Sequence, residues 1–383
     1  MIPFNRPYMT GRELTYIAEA HTRGHLAGNG EFTKRCTRWL EERIGVRKAL
    51  LTHSCTGALE MAALLSGVGP GDEVIMPSFT FVSTANAFAL RGATPVFVDV
   101  RPDTLNLDDT QVEGAITRRT RAIVPVHYAG VGCEMDAIVA IAQRYELLVI
   151  EDAAQGLMAE YDGKPLGGLG QLAGLSFHET KNIISGEGGA LLINEDRFVE
   201  RAEVILEKGT NRSQFFRGQV AKYTWVDLGS SYLPGEIVAA FLWAQMESAD
   251  DITERRFAIW NRYHDALADL EMQGLVRRPI VPEGRTHNAH MYYLLLPSLA
   301  ARSAFIDHLT AKQIQPVFHY VPLHSSPFGQ AAGRAVGDLP VTESVSERLV
   351  RLPFWIGIEE QLDYVIEEVR SAALAVTHQQ AAG

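Results

Sequence analysis

The sequence predicts an α/β fold, with a large domain built on a mostly parallel seven-stranded sheet between helices and a smaller C-terminal α+β domain. Three observations carry this expectation. Between residues 48 and 195, short apolar runs alternate with helical patterns, as in strands covered on both faces. Past residue 233 that alternation gives way to one long amphipathic stretch followed by isolated strands and helices. The chain has 383 residues, 46% of them hydrophobic, enough for more than one core. We divide it at 1–245 and 246–383.

Taken in order, the strands are expected at Ala49–Thr52, Glu73–Met76, Pro95–Val98, Ala122–Val126, Leu147–Ile150, Gly174–Phe177 and Ala190–Ile193. Helical spacing predicts Thr56–Leu65, Ser83–Leu90 and Met135–Tyr145 between the earlier ones. Pro234 suits a first helical turn, and the pattern it opens runs to about Leu270. An aromatic-rich strand (His290–Leu296), a helix (Ala301–Lys312), a strand near Gln315–His319 and a last helix (Gln361–Ala375) complete the second domain. The end, Gln379–Gly383, reads as frayed.

Composition excludes several classes of function. A net charge of −11 argues against duplex nucleic acid or an anionic membrane as partner, though backbone amides and a few local bases can still hold a small anion. No apolar run approaches the roughly 18 residues that span a bilayer, and the first residues lack a signal-peptide pattern. Cys36, Cys55 and Cys133 are odd in number and scattered, which points to a reducing, cytoplasmic compartment. The histidines show no HExxH spacing, and His287 and His290 lack a matching acidic pattern, so no metal is expected.

Parallel sheets bind ligands beyond the carboxyl ends of their strands. Four groupings stand there. Thr52-His53-Ser54-Cys55-Thr56-Gly57 opens a helix, where free amides and hydroxyls make an anion site or an ordinary cap. Asp152 follows an apolar strand in Ile150-Glu151-Asp152-Ala153-Ala154-Gln155; a carboxylate there can hold a ring nitrogen cationic, or cap a turn. Lys181 follows Leu175-Ser176-Phe177-His178-Glu179-Thr180 and precedes Gly186-Glu187-Gly188-Gly189; an amine in a partly dry pocket can form a Schiff base and shuttle protons. Phe81, in Pro77-Ser78-Phe79-Thr80-Phe81-Val82, can stack on a flat ring or fill core.

The order and spacing of these four resemble the nucleotide-sugar aminotransferases, the sugar-modifying branch of the fold-type-I pyridoxal phosphate enzymes. The likeness extends over nearly the whole chain, including Val82-Ser83-Thr84-Ala85-Asn86 and Lys208-Gly209-Thr210-Asn211-Arg212-Ser213-Gln214-Phe215-Phe216-Arg217-Gly218-Gln219. The resemblance implies pyridoxal 5'-phosphate as cofactor, with Lys181 holding it through a Schiff base and Asp152 paired with its ring nitrogen. It further implies Gln155 near the phenolic oxygen, Phe81 stacked on the ring, and Thr56, Gly57 and Ser176 on the phosphate. Ser231 stands where many relatives use an asparagine to reach the phosphate from the neighbouring subunit, and Gly57 where close ones carry alanine. The loop after Lys181 is one residue shorter than in those relatives. Arg212 is expected to meet the nucleotide diphosphate, and His319 and Tyr320 the sugar. The implied reaction moves an amino group from glutamate to a dTDP-4-keto-6-deoxyhexose, in a homodimer whose active sites lie between subunits. Relatives that dehydrate the sugar carry histidine at the lysine position, so Lys181 argues against that chemistry. A Rossmann enzyme is disfavoured because Gly168, Gly170 and Gly174 lie ahead of a strand rather than after one. A non-catalytic sensor finds no support, since no catalytic group is missing.

Overall fold

A computed structural model describes the backbone of residues 1–381 and the side chains of residues 1–375. All the expected sheet strands form: β1 (Lys48–Thr52), β2 (Glu73–Pro77), β3 (Thr94–Val98), β4 (Thr120–Ile123), β5 (Leu148–Asp152), β6 (Leu172–Ser176) and β7 (Gly189–Ile193). They lie in the order β1-β7-β6-β5-β4-β2-β3, and β8 (Arg334–Ala335) adds an eighth strand beside β3. Only β7 runs against its neighbours, antiparallel to β1 and β6. The seven-strand expectation is therefore one short. A two-residue edge strand leaves no apolar run in the sequence to betray it.

Helices α1 (Glu13–Arg23) and α2 (Glu31–Ile44) precede the sheet, α3 (Cys55–Ser66) follows β1 and α4 (Val82–Ala89) follows β2. Ser54 caps α3 by accepting the Gly57 N–H at 3.0 Å, and Gly67 ends it at φ 73°. Helix α3 is apolar almost all round and is sunk against the sheet, with Ala58, Met61, Ala62 and Ala63 inaccessible to solvent. Its first turn comes down on the start of β7. A Cβ at Gly189 would stand 2.4 Å from the Cys55 nitrogen, so only glycine permits the approach.

The helix Glu236–Glu247 is apolar over most of its surface because it is buried within the chain, with Ala239, Ala240, Leu242 and Met246 packed against Phe32, Cys36 and Leu40. Glu236 also satisfies the first amides of α2, accepting from Phe32 at 2.8 Å and Thr33 at 3.1 Å.

A second core gathers residues from Ile259 to Ala373, with Ile2 joining it from the other end of the chain. Its antiparallel sheet places Leu349–Arg351 between Tyr293–Leu295 and Val317–Phe318. The middle strand was not foreseen, and the outer two are shorter than expected. The last helix, Leu362–Ala381, is continuous; the final residues of the expected frayed end, Ala382 and Gly383, lie outside the described residues.

Beyond its backbone pairing, β8 is tied to the large sheet by Arg334, which reaches the buried Glu73 carboxylate at 2.9 Å, with Arg119 at 2.6 Å and Thr117 at 2.7 Å completing the cluster. The Arg334 hydrogen bonds, helped by Thr117 and Arg119, outweigh burial and lower the Glu73 carboxyl from its ordinary 4.5 to about 2. A depressed carboxyl stabilises the fold above its unfolded pKa, and that contribution disappears as pH falls toward the folded one. Stability measured by denaturant titration should therefore fall between pH 4.5 and about 2 in the native protein. Glu73→Gln should be less stable at neutral pH and show a smaller fall across that window; an equal fall would contradict the assignment.

Candidate active site

Side chains along a strand alternate in direction, and on β5 this sorts two adjacent acids into different tasks. Glu151 is sealed in the interior. It accepts from the amides of Gly167, Leu169 and Gly170 at 2.6–2.8 Å and faces His127 Nε2 at 2.8 Å. The Cys133 amide donates to His127 Nδ1 at 3.2 Å, which leaves the ring proton on Nε2, directed at Glu151. Burial alone would raise the Glu151 carboxyl, but His127 and these amides hold it below the ordinary value. Glu151 thus fixes the loop before β6.

Asp152 turns the other way, into a cavity of about 500 Å³ beyond the carboxyl ends of β5 and β6. Thr84 donates to its Oδ2 at 2.6 Å and the Ala154 amide to its Oδ1 at 3.1 Å. Thr84 is in turn hydrogen-bonded to Thr80, which precedes the helix, at 2.8 Å. Lys181 lines the same cavity. Burial lowers the pKa of its amine, and Arg351 pushes the same way, against the opposing pull of Cys55 and Asp152. A lysine so placed gives up its proton more readily and is the better nucleophile.

The other expected residues divide into two sets. Thr56, Phe81, Gln155 and Ser176 line the cavity from the large sheet, and His319 and Tyr320 from the segment that follows strand Val317–Phe318. Thr56 meets Ser83 hydroxyl to hydroxyl at 2.8 Å. Phe81 is 58% exposed at the cavity wall, so it belongs to the site and not to the core. Gln155 accepts the Ala129 amide at 2.7 Å and donates to the Tyr320 hydroxyl at 3.2 Å. His319 Nδ1 lies 3.0 Å from the Tyr128 hydroxyl, and burial together with Arg351 and Lys181 keeps its ring neutral.

Gly57, Ser231 and Arg212 do not reach this cavity. The Gly57 amide is engaged by Ser54, one turn into α3. Ser231 is exposed and bridges backbone to Glu207. Arg212 lies on an exposed arm, 3.6 Å from Glu207 and 5.2 Å above the Phe216 ring.

Sequence reading missed Thr84, Ser83, His290 and Arg351, all of which line the cavity or hold those that do. Thr84 had no local signal, since its hydroxyl partner Thr80 precedes the helix that carries it. Arg351 had one, a charge between Val350 and Leu352 that period-two alternation sends to the opposite face.

Replacing the hydroxyl that supports Asp152 tests this geometry. Thr84→Val should cost about 1.5–3 kcal/mol of stability, the usual worth of a buried hydrogen bond to a charged group. Thr84→Ser should retain most of it. Equal stability of the Val variant and the native protein in urea unfolding would show that the contact is idle.

The donor set fits pyridoxal 5'-phosphate: an amine with a lowered pKa, a fixed carboxylate, an aromatic wall at Phe81, and the hydroxyls of Ser54, Thr56 and Ser176 where the positive end of α3 opens onto the cavity. Residues 7–370 match the family model described as the DegT/DnrJ/EryC1/StrS aminotransferase family. The GDP-perosamine synthase of Caulobacter vibrioides is 35% identical over 365 residues, covering 94% of this chain and 95% of that protein. The aminotransferase TlmJ of Streptoalloteichus hindustanus superposes with a TM-score of 0.90 at 30% identity, covering 98% of this chain and 100% of that one. The Spr1654 protein of Streptococcus pneumoniae, solved in a PLP form, gives 0.89 at 26% identity, covering 98% and 99%. The fold, the cavity and these likenesses lead to one identity: the chain belongs to the DegT/DnrJ/EryC1/StrS family of pyridoxal phosphate-dependent sugar aminotransferases.

Proposed function

We propose that this enzyme transfers the amino group of L-glutamate to C4 of a dTDP-4-keto-6-deoxyhexose, giving dTDP-4-amino-4,6-dideoxygalactose for a surface polysaccharide. The observation that carries the amino-transfer part is the meeting of Lys181 and Asp152 in one cavity. The sugar and nucleotide rest on the blocks Thr80–Asn86, Phe177–Asn182 and Lys208–Gln219, which resemble dTDP-4-amino-4,6-dideoxygalactose transaminase.

When bound, the cofactor supplies an electron sink for the charge released at the donor's α-carbon. Lys181 is the residue that holds it. Its Nζ, once free, takes the proton from that α-carbon and later returns one to the sugar's C4. Asp152, anchored by Thr84 and Ala154, supplies the negative charge that keeps a ring nitrogen protonated. Thr56 and Ser176 bind the phosphate, and Phe81 packs on the ring. Tyr320, steadied by Gln155, and His319 face the sugar.

A homodimer accounts for the residues that stand apart from the cavity. The arm from 211 to 231 exposes Phe216 at 69% and Trp225 at 75%, an apolar surface suited to a second subunit. Arg212 and Ser231 both lie on or beside it, so pairing of two chains would offer them to the neighbouring cavity. Among the described residues no helix is long and apolar enough to cross a membrane, and the cysteines are unpaired; we assign the enzyme to the cytoplasm. A second reading keeps the chemistry and changes the substrate to another nucleotide-linked keto-sugar, 3-keto or UDP-linked. The likeness to a GDP-perosamine synthase favours leaving the nucleotide open to test.

Purified enzyme should form 2-oxoglutarate from glutamate with a dTDP-4-keto-6-deoxyhexose in preference to UDP-, GDP- and 3-keto sugars. Turnover restricted to one of the others would select the second reading. Lys181→Ala should abolish turnover and the visible absorption of the lysine-linked cofactor. Asp152→Asn should slow turnover by about a hundredfold or more, within the usual range for loss of a positioned charge. A Lys181→Ala protein that kept native turnover would contradict the mechanism.

A further inference from the structure

Leu349–Arg351 is the middle strand of the small sheet, and Val350 and Leu352 bury fully in the second core. Alternation turns Arg351 to the other face, into the cavity that holds Lys181. Its Nη2 donates to the Phe318 carbonyl at 3.2 Å, and its guanidinium carbon lies 4.6 Å from the Phe4 ring centroid. Its Nε is buried with no hydrogen-bond partner among the described residues. The ionisable groups that bear on it favourably are the Tyr128 and Tyr320 hydroxyls, not a carboxylate.

A permanent cation that is half-buried, with a buried Nε left unpaired and no counter-charge, is costly to keep. Lys181 faces the same cavity, but Asp152 and Cys55 bear on its amine, whereas Arg351 only depresses it further. His290 and His319 add no charge, because burial and these same cations hold both rings neutral. The arrangement is relieved by an anion that arrives from solution. The hydroxyls and the α3 terminus lie on the large sheet and suit a phosphate. Arg351 comes from the second core, beside Phe4, Met291 and Phe354. One planar fork among apolar side chains matches a single carboxylate, whereas two linked phosphates need several donors.

We propose that Arg351 binds a carboxylate of the amino donor, a short dicarboxylic amino acid, and of the 2-oxo acid it becomes. This rests on the aminotransferase reading and adds to it the residue that recognises the donor. The fork holds the donor while Lys181 works at its α-carbon, and release of the 2-oxo acid reopens the site to the sugar.

Glutarate, a dicarboxylate with neither amine nor ketone, binds without reacting and is the probe. Calorimetric titration of the holoenzyme should show Arg351→Gln weakening glutarate by about tenfold or more, the worth of one charge-assisted hydrogen-bonding pair. Arg351→Lys, which keeps the charge and loses the fork, should fall between; it carries the test if the Gln variant proves unfolded by circular dichroism. The affinity for dTDP should be unchanged in both. Unchanged glutarate affinity in both variants, or a loss of dTDP affinity instead, would overturn the proposal. Native enzyme that bound glutarate through Arg351 but consumed no glutamate with any keto-sugar would overturn the assigned reaction while supporting the carboxylate site.

Discussion

The site depends on holding an amine and a carboxylate in one partly dry cavity without letting them neutralise each other by direct contact. Register does this. Strand β5 pairs with β6 so that Asp152 stands opposite Gly174, and the chain leaves β6 at Ser176 to deliver Lys181 a short turn later. Asp152 is committed to Thr84 and Ala154, and Lys181 is shielded enough that its proton is loosely held. A register slip by one residue would exchange Asp152 for Glu151, which faces the interior and the loop before β6.

The second core completes the cavity from across the large sheet. Tyr320 is tied to Gln155 and His319 to Tyr128, so polar links join the segment after strand Val317–Phe318 to the large sheet's side of the site. Edge strand β8 and the Arg334–Glu73 ion pair make a further tie at the far side of the sheet. The cavity is therefore framed by the large sheet on one side and by His319, Tyr320 and Arg351 on the other.

Much of this was legible in the sequence for a physical reason. Strands buried on both faces must be continuously apolar, and the polar residue that ends such a strand stands at the rim; Asp152 and the Ser176–Lys181 segment were found that way. What escaped reading depends on contacts between distant segments. Thr84 supports Asp152 from a helix 68 residues away in sequence, and nothing local to either marks the pair. Strand Leu349–Arg351 is short and reads as the end of a helix until its two neighbours are in place. Gly57 is placed on the phosphate only by the resemblance, and in the fold its amide is engaged by Ser54. Arg212 and Ser231 lie on an arm that a single chain leaves open, where local sequence carries no record of what covers it.

The central claim is that Lys181, among all the lysines of the chain, carries the cofactor. Borohydride reduction of the holoenzyme converts a Schiff base to a stable amine, after which proteolysis and mass spectrometry locate the label. The account predicts a single pyridoxyl group on the peptide containing Lys181. A label on another lysine, or none on a protein that is active with glutamate and a keto-sugar, would contradict it.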